Sequence, residues 1–380
     1  MRILHLYSDY RWTGPADPTV NLCLKLRERG HDCLFACRQG PKPTDPCVAL
    51  FAAHRGLEPI TRFALNRYMN PADTVRDLWT LPKFLRDEKI DILHTHLTHD
   101  HALGGWAARC SSAPVVVVRT NHKGVPLRRS LSNMILVRCF TDHLIEISAM
   151  AVAGDVAGFM LDPAKVSRAN VAIDLKKFDP SQELPGMRPA LGAAPSDIVI
   201  GIAARMQRHR RFEILLQGFA LALKQLPQLR LLILGRGTYQ DRVAKEPARR
   251  LGLGDRVLFP GYVKDGYVAA LNTFDIKIFL MPGSDGSCRA VREAMAMGKP
   301  VICARRGMLP EIVTDGVTGL VVDDTPENLA AAMVRLAQDR KLRRAMGRAA
   351  RKKAERDYSP DAEAAAVEKA YETVLSRRNS

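Results

Sequence analysis

The chain has 380 residues, 47% of them hydrophobic, and 57 Lys and Arg against 40 Asp and Glu, a formal net charge of +17. That length suits two domains rather than one, and the apolar share suits globular cores rather than a disordered chain. No run approaches the about 18 apolar residues of a membrane-spanning helix. The opening MRILHLYSDY also lacks the layout of a secretion signal, so the expected location is cytoplasmic.

The first apolar run, Ile3–Tyr7, reads as a strand. Gly14 and Pro15 then break the chain before a helix expected from Pro18, leaving a flexible loop able to lie over a cleft between domains. The loop is not a G-x-G-x-x-G turn, so no dinucleotide cofactor is expected. Further strands are expected at Cys33–Ala36, Ile90–His94, Val115–Arg119 and Leu144–Ser148. His94, His96, His99 and His101 cluster at the end of one of them, without an HExxH or carboxylate pattern, so no metal site is expected. His122 follows Val115–Arg119 closely, where a strand end faces ligand.

The rhythm breaks at Asp179–Asp197, rich in Pro and Gly, which reads as a linker. Six more strands are expected after it: Ile198–Ala203, Leu231–Leu234, Val257–Phe259, Ile276–Leu280, Val301–Ala304 and Gly319–Val322. The strands are Val/Ile/Leu-rich rather than alternating, as parallel strands covered on both faces require. Helical stretches separate many of them, so the expected fold is α/β with two Rossmann-like domains, residues 1–180 and 181–358. A helix at 359–380 closes the chain. Ser359 and Pro360 suit its start, and Val367, Tyr371, Val374 and Leu375 form one apolar stripe that can cross back to the first domain.

Arg205, Arg208, Arg210 and Arg211 follow Ile198–Ala203, fixed cations where a pyrophosphate would lie and able to stabilise it in place of Mg²⁺. Between Met281 and Pro300 a strand enters a loop with Gly286, and a helix runs from about Ser287 to Gly298. Its free amides and dipole suit a phosphate. Asp285 and Glu293, about two helical turns apart, can face one cleft and bind hydroxyls of a sugar and a ribose. The basic run Arg340–Arg356 reads as a solvated helix face or as a binding surface. The eight cysteines form no C-x-x-C pair and read as buried thiols.

Together these segments resemble family 4 of the retaining glycosyltransferases, which have the GT-B fold. The family pattern E-G-F-G-x-x-x-x-E-A-M-A-x-G-x-P-V is approached by Asp285-Gly286-Ser287-Cys288-Arg289 and then Glu293-Ala294-Met295-Ala296, Gly298 and Pro300-Val301. Asp285 replaces the first glutamate, and Ser287-Cys288 replaces Phe-Gly. Leu231–Gly237, with Gly235 and Gly237, resembles the L-x-I-x-G-x-G strand end. Similar matches are VLFPGYV from Val257, PEIV from Pro310, DGVTGL from Asp315 and DILHTH from Asp91.

The resemblance implies a nucleotide-diphosphate-sugar donor held mainly by the second domain and an acceptor held mainly by the first. Arg205, Arg210 and the amides near Ser287–Arg289 would stabilise the leaving diphosphate. Asp285 would hold the donor sugar, Glu293 the ribose, His122 would orient the sugar, and Gly14, Gly235, Gly237 and Gly286 would also contact the donor. No cofactor or metal ion is implied, and Asp323-Asp324 reads as surface acid rather than a metal site. A lipid-linked or lipopolysaccharide-type glycan is the expected acceptor, with peripheral contact to an anionic membrane and no nucleic-acid partner. Two alternatives stay open: a nucleotide-sugar epimerase on the same fold, and a non-catalytic sugar-nucleotide binder.

Overall fold

The structure, a computed structural model, describes residues 1–42, 46–68, 70–184, 186–263, 266–282 and 288–379. The chain divides into two compact units. The first comprises Met1–Ala172 with the segment from Pro360 onward, and the second runs from Ile173 to Ser359.

In the first unit seven parallel strands form one sheet: β1 (Arg2–Tyr7), β2 (Asp32–Cys37), β3 (Pro59–Ile60), β4 (Ile92–Thr95), β5 (Val116–Asn121), β6 (His143–Glu146) and β7 (Val166–Arg168). Their order is β3-β2-β1-β4-β5-β6-β7. The chain builds outward from β1 to β3, then returns to β1's other side as β4. Successive strand residues point to opposite faces. Ile3 and Tyr7 therefore join one core with Ile92, Val116 and Val118, under helices Ala16–Glu28 and Pro360–Asn379. Leu4 and Leu6 join another with Leu93 and Val117, under helices Pro71–Asp87 and Thr98–Cys110. β3 and β7 were not expected. They are edge strands of two and three residues, and Val166-Ser167-Arg168 has too little apolar character to stand out.

The closing helix Pro360–Asn379 belongs to the first unit. Val367, Tyr371 and Val374 are buried there, and Leu375 packs against the same core. Glu368 accepts from Arg29 and lies 2.9 Å from His31 Nε2, which ties the helix beside Ala16–Glu28.

The second unit repeats the plan with β8 (Ile198–Ala203), β9 (Leu229–Leu234), β10 (Val257–Gly261), β11 (Ile276–Phe279), β12 (Val301–Ala304) and β13 (Gly319–Val322). The order is β10-β9-β8-β11-β12-β13, again parallel throughout. The proline-rich stretch expected as a linker is packed into this unit. Phe178, Leu191 and Ala193 are buried in its core, and Arg188 reaches Asp275 at 2.5 Å. The basic helix spans Arg340–Asp357 and buries Met346, Ala350 and Ala354. Arg343 donates to Leu336 O at 2.7 Å, and Arg351 to Phe178 O and Ala296 O at 2.7 and 2.8 Å. Part of the run thus braces its own unit.

Candidate functional site

Open parallel sheets bind ligands beyond the carboxyl ends of their strands, near the point where strand order reverses. Each unit has a cavity at that edge.

In the second unit the cavity is about 600 Å³ and lies beyond β8, β9 and β10. Arg205, Gly235, Gly237 and Tyr267 line it. The glycines are there because two loops press together. Met206 N donates to Arg236 O at 3.2 Å, and Gly235 N to Gly261 O at 2.8 Å. A Cβ on Gly235 would overlap the Ala204 carbonyl, and one on Gly237 the Met206 carbonyl. Gly235 also has φ +131, a conformation that favours glycine. Backbone is therefore bare in the cavity wall, which Arg205 also lines.

The four arginines after β8 separate. Arg205 lines the cavity. Arg210 donates to Met281 O at 2.8 Å, just past β11, and its guanidinium lies 5.6 Å from the Phe279 ring centre. Arg208 stacks over Tyr239 at 4.4 Å. Arg211 pairs with Asp324, which Arg306 also contacts at 2.8 Å. Asp324 is thus a largely buried ion-pair partner, while Asp323 is exposed surface acid.

Helix Arg289–Ala296 brings Glu293 to the same region. Glu293 is 6% exposed. Tyr267 OH donates to its Oε2 at 2.9 Å, and Arg289 Nε to its Oε1 at 2.9 Å. Burial raises the Glu293 carboxyl, opposed by Arg289 and Tyr267. Tyr267 links this carboxylate to the cavity, and no sequence pattern announced it. Lys277 of β11 is fully buried near Glu293, and burial pushes its amine down to about 7. Cys288 adopts φ +50 at the helix start and packs its side chain into the core, so the contact it can offer a ligand there is backbone. Asp285, Gly286 and Ser287 lie outside the described residues.

The first unit's cavity is about 530 Å³, at the β1–β4 edge, and is lined by Gly14, Asp9, Arg67, Tyr68 and His122 among others. Asp9, 2% exposed, accepts from Arg67 Nη1 at 3.0 Å and from Arg11 N at 3.0 Å. Asp100 accepts from the backbone amides of Ser8, His96 and Leu97 and fixes both loops that rim the cavity. Burial still pushes its carboxyl up to about 6. The His122 ring is pushed down to about 3, first by burial and then by Arg119, so it is neutral.

The histidine cluster is partly brought together. His94 is held by the hydroxyls of Tyr371 at 2.6 Å and Thr120 at 2.7 Å, and His101 by Thr141 at 2.6 Å. His5, 91 residues before His96, joins the group through β1–β4 pairing. Among the described residues two buried groups have metal-capable atoms in proximity: His5, His94 and His96, and His5, Cys23 and Cys33. In the first group, both nitrogens of His94 and of His96 already have partners within the protein.

Comparison with known proteins covers both units. The model for the family Glycosyl transferases group 1 matches residues 186–353, and that for Glycosyltransferase Family 4 matches residues 18–177. A D-inositol 3-phosphate glycosyltransferase of Kribbella flavida is 33% identical over 204 residues, 50% of this chain and 46% of that protein. The chain spans about half to two-thirds of the length of the curated relatives it matches. Among solved structures, a glycosyltransferase from Rickettsia africae ESF-5 superposes with a TM-score of 0.84 at 17% identity, covering 98% of both chains. Anabaena Alr3699/HepE in complex with UDP and glucose gives 0.76 at 17% identity over 97% of this chain and 98% of that one. The fold of this chain is the fold of those proteins.

Proposed function

The chain belongs to the group 1, family 4 glycosyltransferases of GT-B fold, and from that premise we propose that it transfers a sugar from a nucleotide-diphosphate-sugar to an acceptor with retained anomeric configuration. One observation carries this reading: the bare backbone at Gly235 and Gly237, held against Ala204–Met206 with Arg205 alongside. Such a wall admits a diphosphate closely and meets it with fixed positive charge.

In this reading negative charge grows on the leaving diphosphate as the glycosidic bond stretches. Arg205 and Arg210 stabilise it without reorganisation, which lowers the barrier and makes a metal ion unnecessary. Glu293 holds the ribose. Its carboxylate has about four lone-pair positions, so the bonds from Tyr267 and Arg289 leave capacity for a hydroxyl. Asp285 holds the donor sugar, and Gly286, Ser287, Cys288 and Arg289 approach the phosphates, as the family pattern implies. His122 orients the sugar and Gly14 approaches the donor, while the first unit, with Asp9 and Arg67 around its cavity, takes the acceptor. The acceptor is a glycan on a lipid or lipopolysaccharide-type carrier, met at the cytoplasmic face of an anionic membrane.

A thermal-shift series of UDP-, GDP- and ADP-sugars tests the donor assignment. UDP-glucose is the first choice, given the Anabaena complex. A donor at 100 times its dissociation constant adds about 2.7 kcal/mol to stability. The shift should vanish in Arg205→Ala. Absence of a shift with every donor, at concentrations where a transferase would bind, would overturn the reading.

A further inference from the structure

In the first sheet β1 stands between β2 and β4. The cavity of about 530 Å³ opens on the β4 side, where His96 and His122 line it. A second cavity, of about 260 Å³, opens on the β2 side. Asp9, Arg67 and Tyr68 line both and form a common wall.

Strand pairing builds the second cavity. Tyr7, the last residue of β1, lies opposite Cys37, the last residue of β2. The residues that follow, Asp9–Arg11 on one side and Arg38 on the other, therefore leave the sheet next to each other. Tyr10 is anchored there. Its carbonyl accepts from Val48 N at 2.8 Å, and its side chain packs against the core. The guanidinium of Arg11 lies 5.5 Å from the Tyr10 ring centre and that of Arg38 5.7 Å from it. One fixed ring thus gathers two cations from two different strand ends.

These cations lack a counter-charge. Asp9 is the one carboxylate among the residues that line the cavity. Its Oδ2 accepts from Arg67 Nη1 and its Oδ1 from the backbone amide of Arg11, both at 3.0 Å. The carboxylate is therefore matched to Arg67. Among the described residues neither Arg11 nor Arg38 is paired with a carboxylate. A similar ring contact nearby is compensated: Arg55 lies 5.0 Å from the Trp12 ring centre and pairs with Asp17 at 2.7 Å. Two unmatched like charges beside one cavity repel each other, and an anion between them removes that cost. The planar fork of a guanidinium meets phosphate oxygens two at a time. Two such forks balance the charge of nearly −2 that a phosphate monoester carries at neutral pH.

We infer that the second cavity binds a phosphate monoester carried by the acceptor, held by Arg11 and Arg38, so that phosphorylated acceptors are selected over unphosphorylated ones. The anion site stands on the ring contacts, the cavity and the unmatched charge. Its link to the acceptor rests on the transferase reading, in which the adjoining cavity takes the acceptor. The common wall lets one molecule occupy both.

Inorganic phosphate titrated calorimetrically at low ionic strength tests the site itself. Arg205→Ala in every sample removes a cation of the second unit's cavity. The affinity should fall at least about tenfold when Arg11→Gln and Arg38→Gln are added, the worth of one hydrogen bond to a charged group. Arg11 is exposed and Arg38 half-buried, so the melting temperature should hold. Equal affinity with and without the two arginines, or no binding at all, would overturn the site. Acetate should bind more weakly than phosphate, and a tighter acetate would overturn the phosphate assignment. For the acceptor, labelled sugar is transferred from the donor into a glycolipid extract of the source organism, before and after phosphatase treatment. Transfer by the wild type should drop at least about tenfold after treatment, and Arg11→Gln/Arg38→Gln should no longer tell the two extracts apart. The donor-induced thermal shift should persist in that variant. Undiminished transfer after treatment would overturn the acceptor assignment. A wild type that transfers to neither extract from any donor would end the transferase reading, while the phosphate titration still decides the site.

Discussion

Glu146, at the end of β6, shows how a single buried carboxyl organises the loop that carries His122. It is fully buried, accepts from Asn121 Nδ2 at 3.0 Å and faces Asp155. Asn121 also donates to Val125 O at 2.9 Å, and Asp155 accepts from Leu127 N at 2.8 Å. Burial, and then Asp155, push the Glu146 carboxyl up to about 10. In the unfolded chain a glutamate loses its proton near pH 4.3, so folding takes up a proton between about pH 4.3 and that raised value. The stabilising contribution of the protonated carboxyl is full below the unfolded value and declines as pH rises through the window. Glu146→Gln keeps the shape and an acceptor and removes the proton uptake. Its stability should therefore gain on the wild type from about pH 5 to about pH 8, by at most about 1.4 kcal/mol per unit. Urea midpoints at the two pH values measure this. Curves that stay parallel would show that Glu146 is ionised in the folded protein.

At the scale of elements, the long apolar strands were legible because Val, Ile and Leu runs such as Ile198–Ala203 and Val301–Ala304 have no other fate than a covered parallel sheet. β3 and β7 were not, since an edge strand buries little and carries little pattern. The proline-rich stretch misled as a linker because Leu191 and Ala193, which anchor it, are spaced among prolines and glycines rather than in a periodic run. At the candidate site, Arg205 after β8 and Glu293 on its helix could be singled out from local sequence, whereas Arg208 and Arg211, equally basic, turn to Tyr239 and Asp324. Partners brought in by pairing could not be singled out. His5 and Tyr267 carry no motif, and only the sheet and the cavity reveal them. The closing helix was legible as an apolar stripe, and its partner is now defined. Tyr371 is fully buried in the first unit, with its hydroxyl 2.6 Å from His94 Nδ1. Tyr371→Ala should cost the first unit about 3–5 kcal/mol, the usual loss for a large buried side chain. Denaturant unfolding followed by probes placed in each unit should show the first transition moving and the second holding. Loss shared equally by both would mean that the helix does not belong to the first unit's core alone.

For the whole molecule, the charge of +17 acquires a place to act when the exposed apolar side chains are added to it. Among the described residues no helix is long and apolar enough to cross a membrane. Helices Pro71–Asp87, Thr98–Cys110 and Leu131–Cys139 pack in succession along one face of the first sheet. They expose Val75 and Trp79, then Trp106, then Leu131 and Ile135, with Trp79 80% and Leu131 78% exposed. Both pairs are four residues apart, so each lies on one side of its helix. Arg76, Lys83 and Arg86 accompany the first pair, and Arg128, Arg129 and Arg138 the second. An aromatic and aliphatic band edged by cations fits an anionic lipid surface, where each nearby cation contributes about 1 kcal/mol. A soluble carbohydrate acceptor would ask for no such band. The expected result is flotation with vesicles containing phosphatidylglycerol at low salt and release at about 1 M salt, where the screening length falls to about 3 Å. Trp79→Ser with Leu131→Ser should weaken flotation at low salt while leaving the donor-induced thermal shift in place, because these side chains belong to the first unit and the donor cavity to the second. Protein that stays in the bottom fraction with anionic vesicles at low salt would point to a water-soluble acceptor instead.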